Sequence, residues 1–309
     1  MFSELEHDFG TVARGADVRH LITVTNLYEE DVAIADVKTT CGCTAAKPDR
    51  TLLKTHEKAY IEVKMDTVKF MRQKDSNVDV TLTFHGAKGS ARKTVRIPIH
   101  AYIRPDVVLT PGNVDFGSVE YGAGAERKVE IAYAPGRQDW AIRDVRVSND
   151  SLEASVEETG RSSSRVHYVL SVRLKESARM GTLQEQVTLI TNDSNAEEVP
   201  VLVFAQVEPD IVITPASLPF GTLKPGQTAT RTLILRGKRE FSIENIESKN
   251  TDLFEVAEVS EQTSRQHIIP LRIKAPAEPG EVKETFTITI AGRDEPLTCT
   301  ASATVVGGT

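Results

Sequence analysis

Pro105-Asp106-Val107-Val108-Leu109-Thr110-Pro111 leads to Phe116-Gly117, and Pro209-Asp210-Ile211-Val212-Ile213-Thr214-Pro215 leads to Phe220-Gly221. A shortened copy stands at the N-terminus as Asp8-Phe9-Gly10-Thr11-Val12. The Phe-Gly pairs are 107 and 104 residues apart. That period is far longer than a solenoid unit and corresponds to a whole domain repeated. The 309-residue chain therefore reads as three domains of similar size, 1–104, 105–208 and 209–309.

Outside the motif, apolar residues alternate with polar ones. His20-Leu21-Ile22-Thr23-Val24-Thr25 does so, as do Ala59 to Met65 and Val78 to Phe84. Short β-branched runs with period two, divided by Gly, Pro, Asn and Asp, predict strands with one buried face, and hence an all-β sandwich in each domain. The repeats also align at Val32-Ala33-Ile34-Ala35-Asp36-Val37, Trp140 to Val145 and Phe241 to Ile246. Apolar residues at the first, third and sixth places suit a strand that bulges before its end. Trp140 occupies an inward place in this alignment and reads as core. Each repeat closes on an apolar strand: Ile97 to Ile103, Val199 to Val207 and Cys299 to Val306. The joins near 104 and 208 are short and carry Pro105 and Pro209, which favour extended backbone. One domain's last strand is expected to lead directly into the next domain, in an elongated arrangement.

The net charge of −7 opposes nucleic-acid binding, which needs a basic stripe. Residues 1–104 carry 16 Lys and Arg against 14 Asp and Glu, so the remainder stands at −9. These charges read as solvated surface. No apolar run is long enough to span a membrane, and no leader precedes the first motif. Phosphate loops, nucleophile elbows and zinc-protease motifs are missing, so the chain reads as a non-enzyme without a cofactor. Arg161-Ser162-Ser163-Ser164-Arg165 reads as an exposed hairpin loop.

One segment departs from the repeat. Thr39-Thr40-Cys41-Gly42-Cys43-Thr44 stands where the sisters have Ser148-Asn149-Asp150-Ser151 and Lys249-Asn250-Thr251-Asp252, which are turn residues. Three readings of Cys41 and Cys43 are open: two packed thiols, a disulfide, or thiolate ligands of a soft ion such as copper. Residues i and i+2 of a strand lie about 6.5–7 Å apart, whereas bridged Cβ atoms need about 3.8 Å, so a disulfide requires the strand to fold at Gly42. Such a tight loop is expected to be easily reduced. Zinc would need about two further ligands, and no spacing ties His20 or His56 to the pair. Cys299, alone in an alternating strand, reads as core.

Phe-Gly-Thr-Val opening a domain, followed by Val37-Lys38-Thr39-Thr40-Cys41-Gly42-Cys43-Thr44, resembles the bacterial family catalogued as domain of unknown function 1573. That family belongs to the immunoglobulin-like sandwiches related to the Hydin-type (ASH) and PapD-like groups. The resemblance covers residues 8–104 and implies three tandem immunoglobulin-like β-sandwich domains in a periplasmic, envelope or secreted protein. Members usually carry Pro-Gly where this chain has Thr55-His56-Glu57. The expected role is a non-catalytic spacer and protein-binding module of the bacterial cell envelope. The alternative is a thiol-redox or copper-binding module built on Cys41 and Cys43. Partners would be proteins engaged at sheet edges or end loops.

Overall fold

A computed structural model describes residues 1–86, 89–134, 137–194, 196–249, 252–256, 262–293 and 295–307. The described residues form strands and turns and no helix. The chain divides into two compact units, residues 1–119 with 123–206, and residues 120–122 with 207–309.

In the first unit, Lys58–Met65 pairs with Val18–Thr25 on one side and Thr44–Pro48 on the other. The facing sheet of the first sandwich holds Leu52–Leu53, Asp31–Thr39, Arg72–Gly86, Gly89–Thr110 and, parallel to the last of these, His7–Arg14. Period-two alternation sends Ile22, Val24, Ile61 and Val63 inward from one sheet and Val78, Val80, Ile97 and Ile99 inward from the other, all fully buried. The second sandwich pairs Leu152–Arg161, Val166–Leu174 and Ala125–Tyr133 in one sheet. Its other sheet runs Ile142–Val147, Gly181–Thr191, Glu198–Glu208, Val114–Glu120. In the second unit the sheets run Ile211–Thr214, Thr228–Phe241, Ser264–Lys274, Phe254–Val256, and Ser217–Leu223, Leu297–Val305, Gly280–Ile290, Ile243–Glu247. These are tandem immunoglobulin-like sandwiches.

The repeated Phe-Gly pair has a geometric cause. Its strand pairs in parallel with the sandwich's last strand, and the register slips between Asp8 and Thr11 and again between Pro219 and Gly221. At the slip Gly10 and Gly221 take φ of 67° and 76°, and their counterpart Gly117 takes 63°, a left-handed conformation that other residues adopt at a cost. Asp8 and Asp115 side chains accept a hydrogen bond from the glycine N–H two residues on. The bulge expected in the third-strand alignment is also present, between Ile34 and Asp36, Ile142 and Asp144, and Ile243 and Asn245.

Gly89–Thr110 is longer than its apolar core suggested. It runs for 22 residues, pairing with Arg72–Gly86 in the first sandwich and with Ala125–Tyr133 in the second. It passes through Pro105, where the chain changes sandwich. The passage is locked by Arg104, whose side chain is 4% exposed. Its guanidinium donates to both oxygens of Asp106, to Asp193 Oδ2 and to the carbonyl of Ala196. Asp193 and Ala196 belong to the second sandwich, so one buried cation ties the strand to the second sandwich at the point where it leaves the first. The motif aspartate of the third copy, Asp210, likewise accepts from a buried arginine, Arg293.

Trp140 is buried against Tyr133, with stacked rings 4.3 Å apart, but it precedes the strand Ile142–Val147 rather than lying in it. Arg161 to Arg165 turns the hairpin between Leu152–Arg161 and Val166–Leu174, closed by Ser162 N–H donating to Arg165 O. Cys299 is buried and unbonded to any other cysteine, and burial raises its thiol pKa.

Candidate functional site

Cys41-Gly42-Cys43 lies at the corner where the chain leaves Asp31–Thr39 in one sheet and enters Thr44–Pro48 in the other. The change of sheet requires the backbone to fold there. Thr44 N–H donates to Cys41 O, and Asp66 N–H donates to Cys43 O at 2.8 Å. Thr40 anchors the near side by exchanging hydrogen bonds with the backbone of Asn77. With the corner fixed, the two Cα atoms are 5.2 Å apart and the sulfurs are joined as a disulfide. Of the arrangements open on the sequence, the bonded pair is the one present here. Thiolate coordination of copper would start from its reduced form.

The two cysteines differ in exposure. Cys41 is half-buried and Gly42 exposed, while Cys43 is 1% exposed. Cys43 N–H points back at Cys41 Sγ, 3.1 Å away, and the Thr44 hydroxyl lies 3.6 Å from Cys43 Sγ. The corner borders an open cleft of about 410 Å³ whose other walls include Asp17, Lys64 and Asp66. Gly42, Cys43 and Thr44 line this cleft, whereas Cys41 is the more exposed residue of the pair, and Thr44 could donate to a released Cys43 sulfur. In the sister turn of the second sandwich, Asn149 accepts from Ser151 N–H, a side-chain-closed turn with no redox chemistry. Asn250 and Thr251, the third counterpart, lie outside the described residues.

His56, one of the histidines considered beside the cysteines, sits in the turn before Lys58–Met65 with φ 63°. It occupies the left-handed place that a glycine would fill without strain, and Glu57 closes the turn by accepting from Lys54 N–H.

His20 belongs to a group the sequence reading did not assemble. Residues Met1 to Ser3 pair with Val18–Thr25, through Ser3 N–H to Thr23 O and Thr25 N–H to Met1 O, and this places Glu4 beside the sheet. Glu4 Oε1 meets His20 Nε2, and Glu4 Oε2 lies 3.2 Å from His7 Nδ1. The two imidazoles stack 3.7 Å apart, and the edge of Phe9 closes on His7. Burial and the neighbouring His20 lower the His7 pKa, outweighing Glu4. Burial works to raise the Glu4 pKa, but its bonds to both histidines bring it below the ordinary carboxylate value. On the adjoining strand His100 hydrogen-bonds Asp75 at 2.7 Å, which raises its pKa.

Residues 1–97 match the family model described as protein of unknown function, DUF1573. The DUF1573 match spans the first sandwich through both cysteines and the histidine group and covers less than half of the chain. No curated protein matches the chain. Among solved structures, it is similar to a protein of unknown function from Porphyromonas gingivalis W83, at 14% identity over 67% of this chain and 99% of that one, with a TM-score of 0.27. It is also similar to titin domains I67–I69, at 10% identity over 99% and 98% of the two chains, with a TM-score of 0.23. A third likeness is to the ASH/PapD-like domain 7 of human CEP192, at 14% identity over 32% and 87%, with a TM-score of 0.25. Beyond the DUF1573 segment, the sandwich assignment rests on strand pairing in the chain itself. The described residues contain no helix long and apolar enough to cross a membrane.

Proposed function

We propose that this chain is a non-catalytic structural and protein-binding module of the bacterial cell envelope, in which the first two sandwiches act as a stiff spacer. The observation that carries the reading is Gly89–Thr110, a single strand hydrogen-bonded into both sandwiches and locked by Arg104 at the passage. A flexible linker would dissipate any distance it was meant to hold, whereas a continuous strand transmits it. The strand Leu152–Arg161 ends the eight-stranded sheet and pairs on one side with Val166–Leu174, which suits a partner that adds a strand. An oxidised Cys41–Cys43 pair accords with an oxidising compartment, where disulfides persist.

Spin labels at Lys93 and Glu157, one in each sandwich, test the spacer. A single narrow distance distribution is expected, and one as broad as that across a Gly/Ser linker sinks the reading. For location, protein recovered from the periplasm should be about 2 Da lighter before reductant than after, with the difference mapping to Cys41 and Cys43.

The disulfide also favours a second reading, a thiol-exchange or copper-handling first domain with the rest as support. Cys41 is the more exposed of the two residues, and the Thr44 hydroxyl stands beside Cys43. Replacement of both cysteines by serine should then abolish a redox or copper phenotype. A spacer would leave that phenotype unchanged.

A further inference from the structure

The internal repeat isolates a second departure of the first domain from its sisters. Counted from the Phe of each Phe-Gly pair, with no gap, Glu4 corresponds to Pro111 and Pro215, His7 to Val114 and Leu218, and His20 to Arg127 and Arg231. The two sisters agree with each other at all three places, and the structure explains why. Val114 and Leu218 are core residues at 1% exposure. Arg127 and Arg231 each send Nε back to the carbonyl preceding their Phe, at 3.2 and 3.3 Å. The first domain has exchanged proline, aliphatic and arginine for carboxylate, imidazole and imidazole, and the fold brings those three side chains together.

From this, the geometry points to a binding site for a divalent transition-metal ion, zinc or copper, held by Glu4, His7 Nδ1 and His20 Nε2. The three ligating atoms already lie within 4.8 Å of one another. Tetrahedral coordination at 2.0–2.1 Å separates donors by about 3.3 Å, so closure draws the three donors together and turns the stacked rings of His7 and His20 out of parallel. Their exposures of 27%, 19% and 32% leave room for that rotation and for water or a partner's ligand in a fourth position. Two imidazoles and one carboxylate suit borderline ions of this class better than Ca²⁺ or Mg²⁺, which take oxygen. The carboxylate compensates ion charge, and Phe9 packs against His7 to hold the ring. The site does not use Cys41 or Cys43 and is independent of the spacer reading.

The test is calorimetric titration of the full oxidised chain with Zn²⁺ at pH 7.5 and at pH 5.5. One saturable Zn²⁺ per chain is expected at pH 7.5, weakened at pH 5.5 because metal ions compete with protons for imidazole nitrogen. His20→Arg and His7→Val install the sisters' own residues and should leave the circular dichroism unchanged, while weakening binding at least ~10-fold. Cys41→Ser with Cys43→Ser should bind as the wild type does. In NMR spectra, Zn²⁺ should shift the ring signals of His7 and His20 and not those of His85 or His167. The proposal is overturned by the absence of saturable binding at pH 7.5, by undiminished binding in folded His20→Arg, by ring shifts confined to other histidines, or by binding that disappears with the cysteines.

Discussion

Arg104→Ala should destabilise the first unit by about 3 kcal/mol. The guanidinium is 4% exposed and meets two carboxylates and a carbonyl, while Asp106 and Asp193 remain 26% and 17% exposed. Breaking a buried ion pair from one side costs about 3–5 kcal/mol, because the remaining charge is left without its partner. Here the abandoned carboxylates still reach water, which places the cost at the lower end. Truncation also removes the link between Gly89–Thr110 and the loop holding Ala196. Trp140, buried in the second sandwich, reports unfolding by fluorescence in urea. With a slope of about 2 kcal/mol per molar, the midpoint should fall by about 1.5 M. The acid limb supplies a second readout. Burial works to raise the Asp106 pKa, but the Arg104 bond outweighs it and leaves the value below the ordinary 3.8. Its contribution to stability is therefore complete above 3.8 and lost as pH falls through the lowered value. The gap between wild type and variant should narrow below pH 3.8 as Asp106 becomes protonated. A midpoint shift under about 0.3 M, or a gap that widens in acid, would refute the account of the lock.

Gly112→Ala should cost roughly 2 kcal/mol or more, since its Cβ would stand 1.8 Å from the backbone oxygen of Gly15 and neither chain segment is a movable side-chain tip; thermal unfolding measures it, and an unchanged midpoint would discredit the close approach. His56→Gly should gain about 0.5–1 kcal/mol, because relief of left-handed strain at φ 63° exceeds the added freedom of the unfolded chain. A loss of stability in the same urea assay would show that the His56 side chain holds the turn. NMR titration should place His100 above the ordinary 6.5, through its bond to Asp75, and His7 below it, through burial. The stability that His100 contributes is complete below pH 6.5 and lost as pH rises through its raised value. For His7 the sign reverses, and stability falls as pH drops from 6.5 through its lowered value. A midpoint on the wrong side of 6.5 would contradict the environment described for that histidine.

The all-β class, the sandwich repeat and the third-strand bulge were legible in the residues because each is a local signal. Alternation at Ala59 to Met65 needs only the strand period, and Phe-Gly repeats because a parallel bulge demands left-handed glycine at Gly10 and Gly221, the conformation Gly117 also takes. Even Cys41 announced itself, through two sisters that place turn residues where it stands. Sequence order could not reveal what lies between chain-distant positions. Whether Cys41 and Cys43 could bond depended on the chain changing sheets at Gly42, an event decided by the pairing of Thr44–Pro48 with Lys58–Met65. Arg104 gained its importance from Asp193, 89 residues later, and His20 from Glu4, 16 residues earlier. A strand's side chains point where its own pleat sends them, and so a single sequence declares which face is buried. Which polar groups meet on those faces is set by how strands from separate parts of the chain are brought side by side, and only the tertiary structure decides that.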